Sequence, residues 1–351
     1  MARLTPLPEP IAIGCPRWRR AIEIGKRCAL AAVLLSLALA APAFAAPPTC
    51  SGRDLRHVSG LAEALAKRAD DLVNADGLFW RIDKGSLPPS YLFGTIHSTD
   101  DDALALARRA AEPIPQTKVV VTELGGPLDA VQKAEIGAAL IARALDRDHD
   151  TFADAPPADR AAIAARVGAL GYPVEFARHL KLWFLVILTA TPSCEASREA
   201  LDLPEVDQFL AQEAKDAGVA VVALETPEEQ LEAIASIRPE VAATLLAADA
   251  RRPEINDDVY ATLVRLYRES RPAEILAVGD AIGDLSDGER AAENEATERL
   301  LTARNALMAE RLAPRLESGG AYIAVGALHL SGKDGLVERL RRAGYTVTKL
   351  W

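Results

Sequence analysis

The sequence predicts an α/β (α+β) domain with a central mixed β-sheet flanked by helices. Two pseudo-repeated halves and a large helical insertion at about 128–316 are expected within it. Three observations carry this prediction. Strand-like apolar runs cluster at both ends of the chain beyond residue 45, with one more in the middle. Helical patterns fill the rest. A coarse unit of strand, Gly-x-x-His, polar cap, helix and strand occurs at 91–124 and again at 322–350. If a pseudo-two-fold axis relates the halves, the two histidines meet at its centre. No short repeat of the solenoid kind is present.

Taken in order, residues 1–45 read as a secretory signal. Arg17, Arg19, Arg20, Lys26 and Arg27 make a basic n-region, and Cys28–Ala41 is uncharged and mostly apolar. Ala43-Phe44-Ala45 is a small-x-small cleavage site. An uncleaved anchor is the rival reading, but the apolar run falls short of the ~20 residues a span needs, and Pro42 closes it. The domain is therefore expected over 46–351, in the periplasm or outside the cell.

Leu55–Asp71 reads as a helix with charged outer positions. Leu78–Asp83 and Ser90–Ile96 read as strands, joined by a turn through Lys84-Gly85-Ser86 and Pro88-Pro89. Ser98-Thr99-Asp100 caps a helix from about Asp101 to Ala111. Lys118–Leu124 has a buried-strand pattern. Helical pattern runs from about Leu128 to Leu188, broken near Asp148–Pro157 and at Gly171-Tyr172-Pro173. Val219–Leu224 is a strand, Pro227–Leu316 is almost all helical, and Ala321–Gly326 is again a strand. Asp334–Arg342 is a helix and Tyr345–Leu350 a final strand.

The 351 residues carry a net charge of −10. Cleavage after Ala45 removes six basic and two acidic residues, leaving about −14. That acidity argues against nucleic acid and anionic membrane surfaces as partners. No second long apolar segment could span a bilayer. Cys50 and Cys194 remain after cleavage, and an oxidising compartment permits a disulfide between them. Two unpaired thiols are the alternative. No Cys-x-x-Cys suggests structural zinc or a redox centre.

Two of the five histidines, His97 and His329, end the same pattern: Gly94-Thr95-Ile96-His97 and Gly326-Ala327-Leu328-His329. Glycine lets the backbone approach another group closely. A histidine just beyond a strand sits where α/β sheets keep their sites. One such histidine alone is more often a capping or packing residue; its recurrence argues for a site. Alternation along Lys118–Leu124 puts Val119, Val121 and Glu123 on one face. A carboxylate there either faces solvent or is costly to bury without a partner. Arg304 has Leu300, Leu301, Leu307 and Met308 as its same-face helical neighbours. A guanidinium in that stripe either snorkels out or pairs with an anion, which Glu123 or a substrate could supply.

Two histidines and a carboxylate can hold a divalent metal with open positions. Such an ion activates water and polarises a carbonyl, and Arg304 could steady an oxyanion. Without metal, a histidine base oriented by a carboxylate would serve. There is no His-Glu-x-x-His helix and no Gly-x-Ser-x-Gly elbow. Gly326–Lys333 fails as a P-loop: the spacing is one residue too long, and Asp334 stands where Ser or Thr belongs.

Leu92-Phe93-Gly94-Thr95-Ile96-His97 resembles the first motif of the TraB/PrgY/GumN family. The stretch from Ile323 through Gly326-Ala327-Leu328-His329 to Leu336, followed by Gly344-Tyr345-Thr346-Val347, resembles its C-terminal motif. Val121-Thr122-Glu123-Leu124, Ala223–Gln230 and Ala303-Arg304-Asn305 are similar to further landmarks. The resemblance covers roughly residues 50 to 351. It implies a relation to the Tiki metalloproteases and, more distantly, to erythromycin esterase-like and ChaN-like proteins. It also implies a site of paired Gly-x-x-His motifs, a glutamate and an arginine. One departure is Leu328, where relatives often have a small residue before the histidine; it would narrow the site.

The expectation is a periplasmic or secreted metal-dependent hydrolase, a Tiki-like peptidase acting on peptide or protein substrates. His97, His329 and Glu123 would be ligands to Mn2+, Co2+ or Zn2+. Glu123, as ligand or base, and Arg304, as anion anchor, would be the catalytic pair. A non-catalytic peptide- or haem-binding protein using the same pocket is the alternative, and a metal-free esterase a third. Glu225 and Glu228-Glu229 read as the start of a helix rather than a substrate path.

Overall fold

The structure is a computed structural model that describes residues 47–58, 60–70, 72–282 and 285–351. The expected signal segment lies outside the described residues. Among the described residues, six strands form one sheet: β1 (Phe79–Asp83), β2 (Ser90–Thr95), β3 (Val119–Thr122), β4 (Ala220–Ala223), β5 (Ala321–Gly326) and β6 (Thr346–Lys349). Their order across the sheet is β4-β3-β5-β2-β1-β6. β4, β3, β5 and β2 run parallel, while β1 runs antiparallel to both β2 and β6. The sheet is therefore mixed, as expected.

The helices are α1 (Leu61–Asp70), α2 (Asp101–Ala110), α3 (Ala130–Ala144), α4 (Arg160–Ala169), α5 (Val174–Ala177), α6 (Leu182–Ala190), α7 (Ser193–Ala200) and α8 (Val206–Asp216). They continue as α9 (Pro227–Ala235), α10 (Pro239–Ala250), α11 (Asn256–Arg268), α12 (Pro272–Ile282), α13 (Asp287–Thr297), α14 (Ala303–Leu316) and α15 (Leu336–Arg342). Their starts follow local chemistry. The Asp100 side chain accepts the amides of Asp102 and Ala103 to open α2, and Thr226 with Glu229 forms a capping box on α9. Gly171-Tyr172-Pro173 separates α4 from α5, as the turn residues predict.

Alternation along the strands fixes the two faces of the sheet. Phe93, Val120, Tyr322 and Ala324 pack under Ala103 and Ala107 of α2 and Val206 and Leu210 of α8. Leu92, Val121, Ile323 and Val325 pack on the other face against Met308, Leu312 and Leu316 of α14 and Leu336 and Leu340 of α15. A separate helical core gathers Phe152, Ile163, Leu185 and Leu246. The expected disulfide is present: Cys50 and Cys194 are bonded, with their Cα atoms 5.2 Å apart. No helix among the described residues is long and apolar enough to cross a membrane.

Strand, Gly-x-x-His, helix and strand follow one another in both stretches. The second helix, however, starts from Gly335 without a polar side-chain cap, and the two stretches differ in sheet position. The strand after His97, β3, lies parallel beside β5. The strand after His329, β6, pairs antiparallel with β1 at the far edge. What the two motifs share is their neighbourhood. β2 and β5 are adjacent and parallel, with Gly94 opposite Val325 and Thr95 opposite Gly326, so both histidines leave the sheet at the same edge.

Candidate functional site

Four parallel strands deliver four side chains to one end of the sheet. His97 follows β2, Glu123 follows β3, Glu225 follows β4 and His329 follows β5. This is the carboxyl edge at which open α/β sheets hold ligands. His97, Glu123, Arg304 and His329 all line one cavity of about 480 Å³.

The two glycines of the repeated motif make this convergence possible. A Cβ at Gly94 would lie 2.9 Å from Ala327 Cα and 2.6 Å from Leu330 Cδ1. The turn that carries His329 therefore sits directly on the first motif. A Cβ at Gly326 would stand 3.3 Å from Glu123 Oε1. The bare Gly326 amide instead donates to that oxygen at 2.7 Å.

Glu123 is buried and fully engaged. Its Oε2 accepts from Arg304 Nη2 at 2.8 Å and from Gln230 Nε2 at 2.8 Å. Arg304 also binds Glu225, through Nε at 2.9 Å and Nη2 at 2.5 Å, and gives Nη1 to the Leu300 carbonyl at 3.0 Å. Burial alone would raise the Glu123 carboxyl. The positive charges of His329, Arg304 and His97 and the Gly326 amide outweigh it and bring it to about 2. Burial pulls His329 down to about 4, so that ring is neutral at pH 7. Arg304 is then the permanent charge that holds Glu123 ionised.

His329 is oriented by Asn305. The Asn305 amide nitrogen donates to the Asp334 carbonyl at 3.1 Å, so its oxygen is left to accept from His329 Nδ1 at 2.6 Å. That network assigns the Nδ1–H tautomer. His329 Nε2 is therefore a lone pair, and it lies 3.7 Å from Glu123 Oε1. Two acceptors thus face each other with no proton between them.

His97 stands at the mouth of the cavity with 72% of its side chain exposed. Its Nδ1 faces Asp207 Oδ2 at 3.3 Å and Glu205 Oε2 at 3.4 Å. Asp207 foremost, then Glu205, raise this imidazole well above its ordinary value. Thr95 Oγ1 holds the other Asp207 oxygen at 2.7 Å, while Asp207 Oδ2 is buried with no hydrogen bond. The backbone beyond His97 is fastened too. Buried Glu195 of α7 accepts the Thr99 amide and the Tyr260 hydroxyl, and Tyr260 also bonds Ser98 Oγ at 2.7 Å. Tyr267 donates to the Gly94 carbonyl at 2.8 Å.

Among the described residues, one trio of His, Cys, Asp or Glu ligand atoms gathers within 4.8 Å: His97, Glu205 and Asp207. A nitrogen with two carboxylate oxygens suits a divalent ion, and the orphaned Asp207 oxygen fits such a centre. His97, His329 and Glu123 share the cavity but do not gather to that distance.

The structure pairs Arg304 with Glu123, one of the two partners the sequence allowed. It also brings in residues that sequence reasoning passed over. Glu225 reads as the first acid of a helix, yet it is buried and paired with Arg304. A carboxylate directly after an apolar strand, as at Glu123, was its available signal. Glu205 and Asp207 open α8, where acids are ordinary complements to the helix dipole. Asn305 sits beside Arg304 with nothing in its spacing to mark it.

The chain belongs to the TraB/PrgY/gumN family, whose pattern it matches over residues 78–349. No curated protein and no solved structure matches it.

Proposed function

We propose that this TraB/PrgY/gumN family member is a periplasmic or secreted divalent-metal-dependent hydrolase acting on peptides. One observation carries the reading: both motif histidines line one cavity with the ionised Glu123, and each turns its Nδ1 toward a side-chain oxygen, Asp207 Oδ2 for His97 and Asn305 Oδ1 for His329. A metal-ligating histidine usually donates its other ring N–H to an oxygen acceptor, as His329 Nδ1 does to Asn305. His97, His329 and Glu123 would hold the ion, with Asn305 fixing the His329 ring and the Asp207 carboxylate facing His97. The His97, Glu205 and Asp207 trio is a second ligand set, favoured by its closeness. When bound, Mn2+, Co2+ or Zn2+ would supply Lewis-acid polarisation of the scissile carbonyl and an activated water.

The chain's own groups divide the remaining work. Glu123 stays charged and orients whatever donates to its Oε1. Neutral His329 offers a lone pair rather than a proton. Arg304 has spent Nε and Nη2 on Glu225 and Glu123, so it acts as a positioning residue that keeps Glu123 ionised, not as an oxyanion donor. The test is hydrolysis of a mixed peptide library, followed by mass spectrometry. Activity is expected to vanish with chelator, return with Mn2+, Co2+ or Zn2+, and be absent in His97→Ala/His329→Ala. Full activity in that double variant would overturn the proposal.

A further inference from the structure

We infer that this site selects peptides with a large apolar side chain next to the reacting bond, seated in an apolar arm of the same cavity. The inference rests on the hydrolase reading above and adds the substrate class. Part of the cavity wall is made of the polar residues already described. Much of the remaining wall is carbon: Trp183, Val186 and Ile187 of α6, Ile234 of α9, Leu263 of α11, and Leu300.

Two features of the fold create that arm. α6, Leu-Trp-Phe-Leu-Val-Ile-Leu-Thr-Ala, is apolar on every side, and such helices are ordinarily buried on every side. Leu182–Leu185 are buried, but Val186 and Ile187 stay partly exposed and open onto the cavity. Opposite in sequence terms, a π-helical turn over Glu298–Thr302 precedes α14 and brings Leu300 and Leu301 into the wall. Single π-turns of this kind recur at functional sites. The same segment leads into Arg304, so the apolar wall and the polar centre share one rigid element.

Charge narrows the ligand further. Glu123 lines the cavity, and Glu225, Glu205 and Asp207 stand against its Arg304 and His97, so four carboxylates face one arginine and two histidines. An anionic head group, such as a fatty-acid carboxylate, would be repelled there; a neutral peptide group would not. An apolar side chain on an uncharged backbone is the match.

The experiment uses capped heptapeptides Ac-Gly-Gly-Ser-X-Gly-Ser-Gly-NH2, with X being Phe, Leu, Ala, Gln or Glu. Cleavage is followed by mass spectrometry in the presence of Mn2+. Binding is read separately from Trp183 fluorescence, with Trp183→Phe as the blank. Phe and Leu peptides are expected to be preferred over Ala and Gln by roughly tenfold or more, with Glu the poorest. Val186→Phe, which fills the arm and keeps an apolar residue there, should erase that preference while its circular dichroism stays native. Cleavage of all five peptides at similar rates would overturn the inference and leave the hydrolase reading standing. Selective fluorescence changes without any cleavage would do the reverse. Neither cleavage nor binding would sink both.

Discussion

Replacing Arg304 by methionine should expose how this site is held together. The guanidinium makes bonds of 2.5 and 2.9 Å to Glu225 and 2.8 Å to Glu123. Methionine fills similar volume and removes only the charge and its donors. Two buried carboxylates then remain, sharing Gln230 Nε2 at 2.8 and 3.2 Å. Removing one partner of a buried pair costs about 3–5 kcal/mol, and that loss is expected in urea unfolding at pH 7. It should also depend on pH. Without the arginine, one carboxyl has a folded-state pKa above its unfolded value of about 4.3. The penalty is full above that raised pKa and fades as pH falls through it. The double variant Arg304→Met/Glu225→Gln, with one charge fewer, should recover at least ~1 kcal/mol of the single variant's loss. A single-variant loss under ~1 kcal/mol, unchanged between pH 7 and pH 5, would refute the reasoning.

Other outcomes follow from the same geometry. Gly94→Ala should cost more stability than Gly326→Ala, because its Cβ would meet Ala327 Cα at 2.9 Å, whereas the Gly326 Cβ would meet the end of the Glu123 side chain at 3.3 Å; thermal melts of the pair decide this. Gly326→Ala should instead lower activity in a folded protein, because it displaces Glu123. Asn305→Ala should leave His329 Nδ1 without its acceptor and reduce metal affinity about 10–100-fold, measured by calorimetry. For the metal-free protein, burial holds His329 at about 4, below its unfolded value of about 6.5. The folded state prefers the neutral ring, so this stability is present above pH 6.5 and is lost as pH falls through 4, about 3 kcal/mol in all. His329→Gln should remove that part of the acid sensitivity in denaturant titrations.

The sequence made the strands and the strand-end histidines legible because each is a local pattern. Apolar runs such as Val119–Thr122 and Ala321–Gly326 announce buried parallel strands, and their ends announce His97, Glu123 and His329. Neighbourhood was not local. That β5 inserts between β3 and β2 depends on a connection of about a hundred helical residues, whose periodicity carries no strand order. The pairing of Arg304 with Glu225 spans 79 residues and is settled only once β4 joins β3. Asp207 was invisible for a different reason. Acids at helix starts are common, and only the fold turns this one toward His97.

The measurement that bears most directly on the site is divalent-metal binding to purified protein from Pro47 onward, prepared without chelator and titrated with Mn2+ and Zn2+. Elemental mass spectrometry would give the stoichiometry for wild type, His97→Ala, His329→Gln, Glu123→Gln and Asp207→Asn. One equivalent is expected in wild type and none in the first three variants. Asp207→Asn should still bind, about 10–100-fold more weakly. Wild-type binding in His329→Gln, with none in Asp207→Asn, would contradict the account and confine the ion to His97, Glu205 and Asp207.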